Sequence, residues 1–295
     1  MTPLSIADLP RFKSSFITHH KRAWCYYVPF LLSYSLPPDR PLVWDLFDQS
    51  LCLFVRRRAR DGDRIDLMIP PLPCSDGALR ACLDLAGREN PDRNLRVLWA
   101  DAGDAERLRD AGFEVAFKEE EVLYDPAAVA RAEGAPFKDL RKRVRRFERE
   151  CPHTFRRMTA SDREGCDALL KVWRRVQGRK RSFLLDWGYT RAALGLVGRV
   201  DEADMSGWVV EMGGETRAFA MAGEMGEYLA NFFVLKSDPT VRGLSDYLRW
   251  RVCGEMKGVA RMNDAGDLGL PGLRQHKRKF RPVEILSVYS AQKKI

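Results

Sequence analysis

Between Asn231 and Pro282, polar residues recur at the joints of an otherwise apolar stretch. Lys236 closes the apolar run Tyr228–Leu235, which contains Asn231. Asn263, Asp264 and Asp267 form a polar knot further on, and Arg274, Lys277, Arg278 and Arg281 follow at helical spacing. These residue types suit acyl transfer. Moving an acyl group from an ester needs a deprotonated nucleophile and something to hold the oxyanion of the tetrahedral intermediate. Lys236, at a strand end, can stabilise an oxyanion or a phosphate, and Asp267 can orient Lys236 or act as base. Asn231 and Asn263 are the further catalytic candidates, and Arg274, Lys277, Arg242 and Tyr228 the substrate-binding ones. Plainer readings stand beside these. A lysine at a strand end can snorkel to solvent, and the knot can be a helix cap. His276 falls between the cationic positions and reads as a surface residue.

Several elements must position these groups. Tyr228–Leu235 is apolar on both faces, as a central strand is. Gly207–Met212 and Thr216–Glu224 read as two further strands joined by a Gly213-Gly214 hairpin turn. Gly243–Met256 carries Leu244, Leu248, Val252 and Met256 in one helical row. Val259–Met262 is a short strand, Leu270–Lys279 a helix and Val283–Tyr289 a last strand. Three antiparallel strands, helix, strand, helix, strand is the element order of the latter part of an N-acetyltransferase-like (GNAT) fold. Upstream, Ser161-x-x-Glu164 has the form of a capping box, opening a helix with Cys166, Leu169, Leu170, Trp173 and Val176 on one face and stopped by Gly178. The first half also alternates strands and helices. Leu51–Arg56 and Arg64–Ile69 pair across a turn at Arg60-Asp61-Gly62-Asp63, Ser75-Asp76 caps a helix, and Leu95–Ala100, Phe113–Phe117 and Val122–Tyr124 read as strands. Residues 1–40 are rich in aromatics, carry the basic patch His19–Arg22 and show no clear period.

The chain has 295 residues and a formal net charge of +9, which favours an anionic partner. Seven scattered cysteines without a CxxC pair argue against a disulfide framework and a zinc site, and point to a reducing cytoplasm. No signal peptide is evident, and the longest apolar stretch, Cys25–Leu36, is short of the roughly 20 residues a membrane span needs. Membrane contact, if any, would be peripheral. Phe137–Arg149 holds seven basic residues. On a helix, Phe137, Leu140 or Arg141, Val144 and Phe147 or Glu148 share one stripe, and the rest fan out as a cationic face. Lys138, Arg141, Lys142, Arg143, Arg145 and Arg146 are candidates for binding a phosphate backbone; the alternative is a solvated linking helix.

Three ordered motifs resemble one family. Glu121–Pro126, Glu133–Lys138 and Arg141–Arg143 with Phe147 are similar to the "YVYD…L.GKKYRKKRN…F" segment of the soluble domain of phosphatidylglycerol lysyltransferases. Phe233–Leu244 is similar to the family's "F..K.DP..KGL", and Asn263–Lys277 to its "NREQDLG..GLR..K". The chain departs from the pattern at Asp264-Ala265-Gly266 and at Arg143-Val144-Arg145, and residues 1–120 match only through Ser15-Phe16 and Trp24. The resemblance implies an α/β (α+β) tandem GNAT-like fold, mixed sheets flanked by helices. The expected layout is an N-terminal domain 1–130, a basic linking helix 131–155 and a C-terminal domain 156–295. It also implies a cytoplasmic aminoacyltransferase, with aminoacyl-tRNA as donor, a hydroxyl or amine on a lipid or small molecule as acceptor, and no cofactor or metal. A CoA-dependent enzyme would carry a glycine-rich pyrophosphate loop after its central strand; here Lys236–Leu244 offers only Arg242-Gly243. An acyl-CoA-dependent N-acyltransferase is the alternative, and a non-catalytic nucleic-acid or membrane-surface module the third reading.

Overall fold

The computed structural model describes residues 1–59, 62–177 and 181–295, and their side chains except at 58–59, 177 and 181–185. The turn read at Arg60-Asp61 and the helix stop at Gly178 lie outside the described residues.

In chain order the elements are β1 (Thr2–Pro3), α1 (Leu9–Thr18), α2 (Val28–Tyr34), β2 (Leu42–Phe47), β3 (Ser50–Ala59), β4 (Gly62–Leu67), α3 (Asp76–Glu89), β5 (Asn94–Ala100), α4 (Ala102–Asp110) and β6 (Glu114–Tyr124). Then come α5 (Pro126–Arg131), α6 (Lys138–Glu150), β7 (Thr154–Arg157), α7 (Arg163–Gln177), α8 (Arg181–Leu194), β8 (Ser206–Met212), β9 (Glu215–Gly226), β10 (Leu229–Ser237), α9 (Leu244–Glu255), β11 (Arg261–Asn263), α10 (Pro271–Arg278) and β12 (Glu284–Lys294). They form two compact units, Met1–Glu121 with Leu286–Ile295, and Val122–Ile285.

In the first unit the strands run β1-β2-β3-β4-β5-β12. Among the described residues of this unit only β4 and β5 are parallel, joined through α3, whose N-terminus is capped by Ser75 Oγ accepting from the Ala78 amide at 3.1 Å. The segment without a readable period is an aromatic core. Phe12 and Phe16 of α1 lie edge-on, Phe16 meets Tyr26 at 5.2 Å, and all three are buried. Helices as short as α2, which opens at Val28-Pro29 and ends before Pro37-Pro38, leave no window long enough to show a repeat.

The second unit follows the same plan. Strands run from the end of β6 through β11, β10, β9, β8 to β7, and among the described residues only β10 and β11 are parallel, joined through α9. The β8–β9 turn uses Gly213 and Gly214 at φ 60° and 79°, the left-handed pair that a two-residue hairpin requires. One sheet face carries Trp208, Val210, Ala220, Phe232 and Met262 and packs on Leu244, Leu248 and Val252 of α9. α6 joins this core through Leu140, Val144 and Phe147, as its stripe predicts; burying each contributes about 1.5–3 kcal/mol. The opposite face is covered by α7 and α8, through Tyr189 stacked on Phe233 at 5.9 Å and Lys236 beneath Trp173.

Two local expectations are corrected. The capping box is Thr159-x-x-Asp162, not Ser161-x-x-Glu164: Asp162 accepts from the Thr159 amide at 2.7 Å and holds Arg156 through both carboxylate oxygens. Arg156 and the two Thr159 bonds keep the Asp162 carboxyl down at about 2 against its burial. On α7, Cys166, Leu169 and Leu170 are buried, but Val176 is 59% exposed, so the apolar stripe ends before it.

Candidate functional site

β10 and β11 pair in parallel only over Leu229–Asn231 and Arg261–Asn263. Beyond that register β10 runs on to Ser237 while the other chain leaves the sheet as the loop 264–270, so the sheet splays open at Asn231 and Asn263. A bulge in the β10–β9 ladder falls at the same level, where Phe232 and Val234 face consecutive β9 residues and Phe233 is extra. A bulge re-aims side chains and leaves backbone groups outside the ladder. The sequence-marked residues Asn231, Lys236, Asn263 and Asp267 all lie along the two arms of this splay.

Lys236 is 6% exposed and its Nζ lies 2.5 Å from Asp186 Oδ2, with the Trp173 ring at 4.3 Å. A lysine at a strand end can snorkel; here the structure turns the ammonium inward, fixed by a carboxylate and an aromatic face. Asp186 comes from α8, in a stretch whose periodicity gave no element. Asp186 is itself buried, and a buried carboxylate needs a cationic or hydrogen-bonding partner. Asp267 does not orient Lys236. It pairs with Arg274 and accepts from the Gly269 amide at 2.9 Å. Burial raises its proton affinity, but Arg274 and the Gly269 bond outweigh that and leave the carboxyl below its usual range.

Asn231 and Asn263 are register partners on adjacent strands and both are fully buried. Asn263 Oδ1 accepts from the Ala265 amide at 2.7 Å and so starts the loop. Asp264 follows, buried, paired with Arg249 of α9 and accepting from Tyr124 Oη at 2.7 Å. Burial opposes ionisation of Asp264, yet Arg249 and Lys277 keep its carboxyl below the ordinary range. Lys277 shares the helical spacing of Arg274, Arg278 and Arg281 but is turned inward. It is 5% exposed and donates to the carbonyls of Asp264, Ala265 and Gly266, which ties the loop to α10. Arg274, Arg278 and Arg281 stay on the exposed side.

The remaining substrate-binding candidates lie apart. Tyr228 is 64% exposed in the β9–β10 turn at φ 58°, at the start of β10 and away from the splay. Arg242 is exposed in the turn before α9. On α6, Lys138, Lys142, Arg145 and Arg146 face solvent, the last paired with Glu150 at 2.7 Å. Arg141 and Arg143 are turned to internal bonds, Arg141 to the carbonyls of Ala132 and Gly134 and Arg143 to Asp246 at 2.6 Å.

The β10–α9 turn is occupied by its own carboxylates. Asp238 Oδ1 accepts from the Thr240 amide at 2.9 Å and from its hydroxyl at 2.6 Å, and Oδ2 pairs with Arg217. Gly243, at φ 84°, caps α9, and buried Asp246 sits in the first helical turn. That acidic residue already complements the helix dipole.

His276 is half-buried against the Phe280 ring, 3.7 Å from Asp246, rather than on the surface. Burial and then Arg249 lower its pKa to about 4, against the pull of Asp246. The folded value lies below the unfolded value near 6.5, so the stabilisation is complete above about pH 6.5 and is lost as pH falls toward 4. His276→Gln is expected to flatten the Tm-against-pH curve between pH 6.5 and 4.5; an unchanged slope would show that other groups set it.

Two units, each with three antiparallel strands, a crossover helix and one parallel pair, define the chain as a tandem GNAT-like protein. Residues 48–292 match the family "phosphatidylglycerol lysyltransferase, C-terminal", and the chain belongs to that family. Among solved structures, a conserved protein of unknown function from Bacteroides thetaiotaomicron is 20% identical with a TM-score of 0.79, over 98% of this chain and 97% of that one. L-PGS from Bacillus licheniformis is 16% identical with a TM-score of 0.67, over 97% and 92%. A tandem GNAT protein from the clavulanic acid biosynthesis pathway is 11% identical with a TM-score of 0.51, over 99% and 97%. These likenesses establish the fold. No curated protein matches the sequence significantly. Among the described residues, no helix is long and apolar enough to cross a membrane.

Proposed function

We propose that the protein transfers an amino acid from aminoacyl-tRNA to a hydroxyl or amine acceptor. The observation that carries this reading is the buried Lys236–Asp186 pair at the β10/β11 splay, in a chain that belongs to the lysyltransferase family. The acceptor oxygen or nitrogen attacks the ester carbonyl carbon, and the bond to the terminal ribose of the tRNA then breaks. The acceptor's proton ends on the ribose hydroxyl. Lys236, held by Asp186, faces the oxyanion that forms between those two events. Asp267, a weak base with a lowered pKa, acts by placing Arg274 at the rim. The exposed cations of α6, Lys138, Lys142, Arg145 and Arg146, take tRNA phosphates.

The β10–α9 turn favours this donor over acyl-CoA. A pyrophosphate there would compete with Asp238 for the Thr240 amide. Charged tRNA is expected to bind at low salt, with log affinity falling linearly in log salt. Replacing Lys138, Lys142 and Arg145 together by Ala should weaken binding and reduce that slope by about 2–3. Equal slopes for variant and wild type would remove α6 from the tRNA surface. Thermal stabilisation by CoA esters and not by tRNA would favour the other donor.

A further inference from the structure

We propose that α10 carries the single-stranded 3′ end of the donor tRNA from the α6 surface to the splay, Arg278 and Arg274 each holding a backbone phosphate. This rests on the aminoacyl-transfer reading above and adds the direction in which the tRNA lies.

α10 joins the two places that this transfer needs. At its start, Arg274 pairs with Asp267 of the loop 264–270, one arm of the splay. Just past its end, Arg281 Nε donates to the Pro136 carbonyl ahead of α6, at 2.9 Å. Between these points Asp246 of α9 fixes the two helices side by side. It lies 2.6 Å from Arg143 Nε of α6 and 3.7 Å from His276 Nδ1 of α10. All of these residues belong to the second unit. A helix of eight residues spans about 12 Å, so α10 is a short bridge with one end at each place.

Its outer side is built of cations. No carboxylate occurs between Asp267 and Glu284, whereas α6 exposes Asp139, Glu148 and Glu150 among its cations. Lys277 turns inward and serves the fold, but Arg274 and Arg278 are exposed. They stand four residues apart, one helical turn along the same face. Like charges at that spacing destabilise a helix, so the fold alone gives no reason for the pair. The Arg278 side chain forms no bond to the described residues, which leaves its guanidinium open to a phosphate. A backbone lying along one short helix presents a single row of phosphates. That matches a single strand, and the aminoacyl end of a tRNA is single-stranded.

The test uses unfractionated tRNA, intact or with its single-stranded 3′ end removed by phosphodiesterase. The variants are Arg278→Ala and Arg274→Ala/Arg278→Ala. Arg278→Ala removes no bond of the fold and should melt with wild type. Wild type should bind intact tRNA more tightly than shortened tRNA, with a steeper fall of log affinity against log salt. Each single-strand phosphate contact contributes about 0.7 to that slope, so the double variant should flatten it by about 1–2 and bind both RNAs alike. Arg278→Ala should lose about half of that difference, and Arg278→Lys should keep most of it. The Lys138, Lys142 and Arg145 triple variant should still distinguish the two RNAs. A wild type that binds both equally, or a folded double variant that still separates them as wild type does, would overturn the assignment while leaving the transfer reading standing. So would anionic vesicles, but not tRNA, losing affinity for the double variant. A wild type that binds no tRNA would instead overturn the transfer reading, and this assignment with it.

Discussion

Lys236→Ala is expected to lower aminoacyl transfer by roughly 10²–10³-fold, with little change in tRNA affinity. The lysine is nearly buried, and Asp186 and Trp173 fix its ammonium at the splay. A preorganised cation of this kind costs no reorganisation when charge develops on the carbonyl oxygen, and removing one oxyanion donor typically costs about 2.7–4 kcal/mol of barrier. A group that acts on the transition state shows its loss in kcat rather than KM. Asp186→Asn should produce a smaller loss in the same direction, since the lysine stays but its anchor loses charge. Measuring kcat/KM for both variants checks this. An equal rise in KM with kcat intact would make Lys236 a binding residue only.

Asp264→Ala should destabilise the protein by about 3–5 kcal/mol, lowering Tm on the order of 10 °C. Truncating Asp264 leaves Arg249, itself 5% exposed, without its counter-charge, and strips an acceptor from Tyr124. Arg249 also lies over the Phe232 and Phe280 rings, so it cannot swing to water without breaking core contacts. Replacing both partners by Leu should recover much of the loss, because the cost arises from the orphaned charge rather than from the absent pair. Denaturant unfolding of Asp264→Leu, Arg249→Leu and the double variant measures the cycle. A loss below about 1 kcal/mol for Asp264→Ala would mean that water reaches the network.

Much of the second unit was legible because its signals are local. Gly213-Gly214 set the β8–β9 hairpin, the Leu244–Leu248–Val252 row set α9, and Leu140, Val144 and Phe147 set the buried side of α6. The positions of the candidate residues were legible where a polar residue interrupts an apolar strand, at Asn231 and Lys236. Three features were not. Asp186 sits in a stretch without clear periodicity, so the partner of Lys236 could be found only through contact. Lys277 keeps the spacing of an exposed cationic face, but its ammonium is drawn inward by three carbonyls of a loop that spacing cannot place. The last strand, β12, pairs with β5, a partner remote in sequence and set by topology rather than by any local pattern.

The most direct measurement incubates the protein with a mixture of radiolabelled aminoacyl-tRNAs and a cell extract, and follows which label leaves the tRNA for a stable product. Wild type is expected to move one or a few amino acids, and Lys236→Ala to move them about a hundredfold more slowly. Labels that stay on the tRNA at the rate seen without protein, whatever the extract supplies, would contradict aminoacyl transfer as the function of this site.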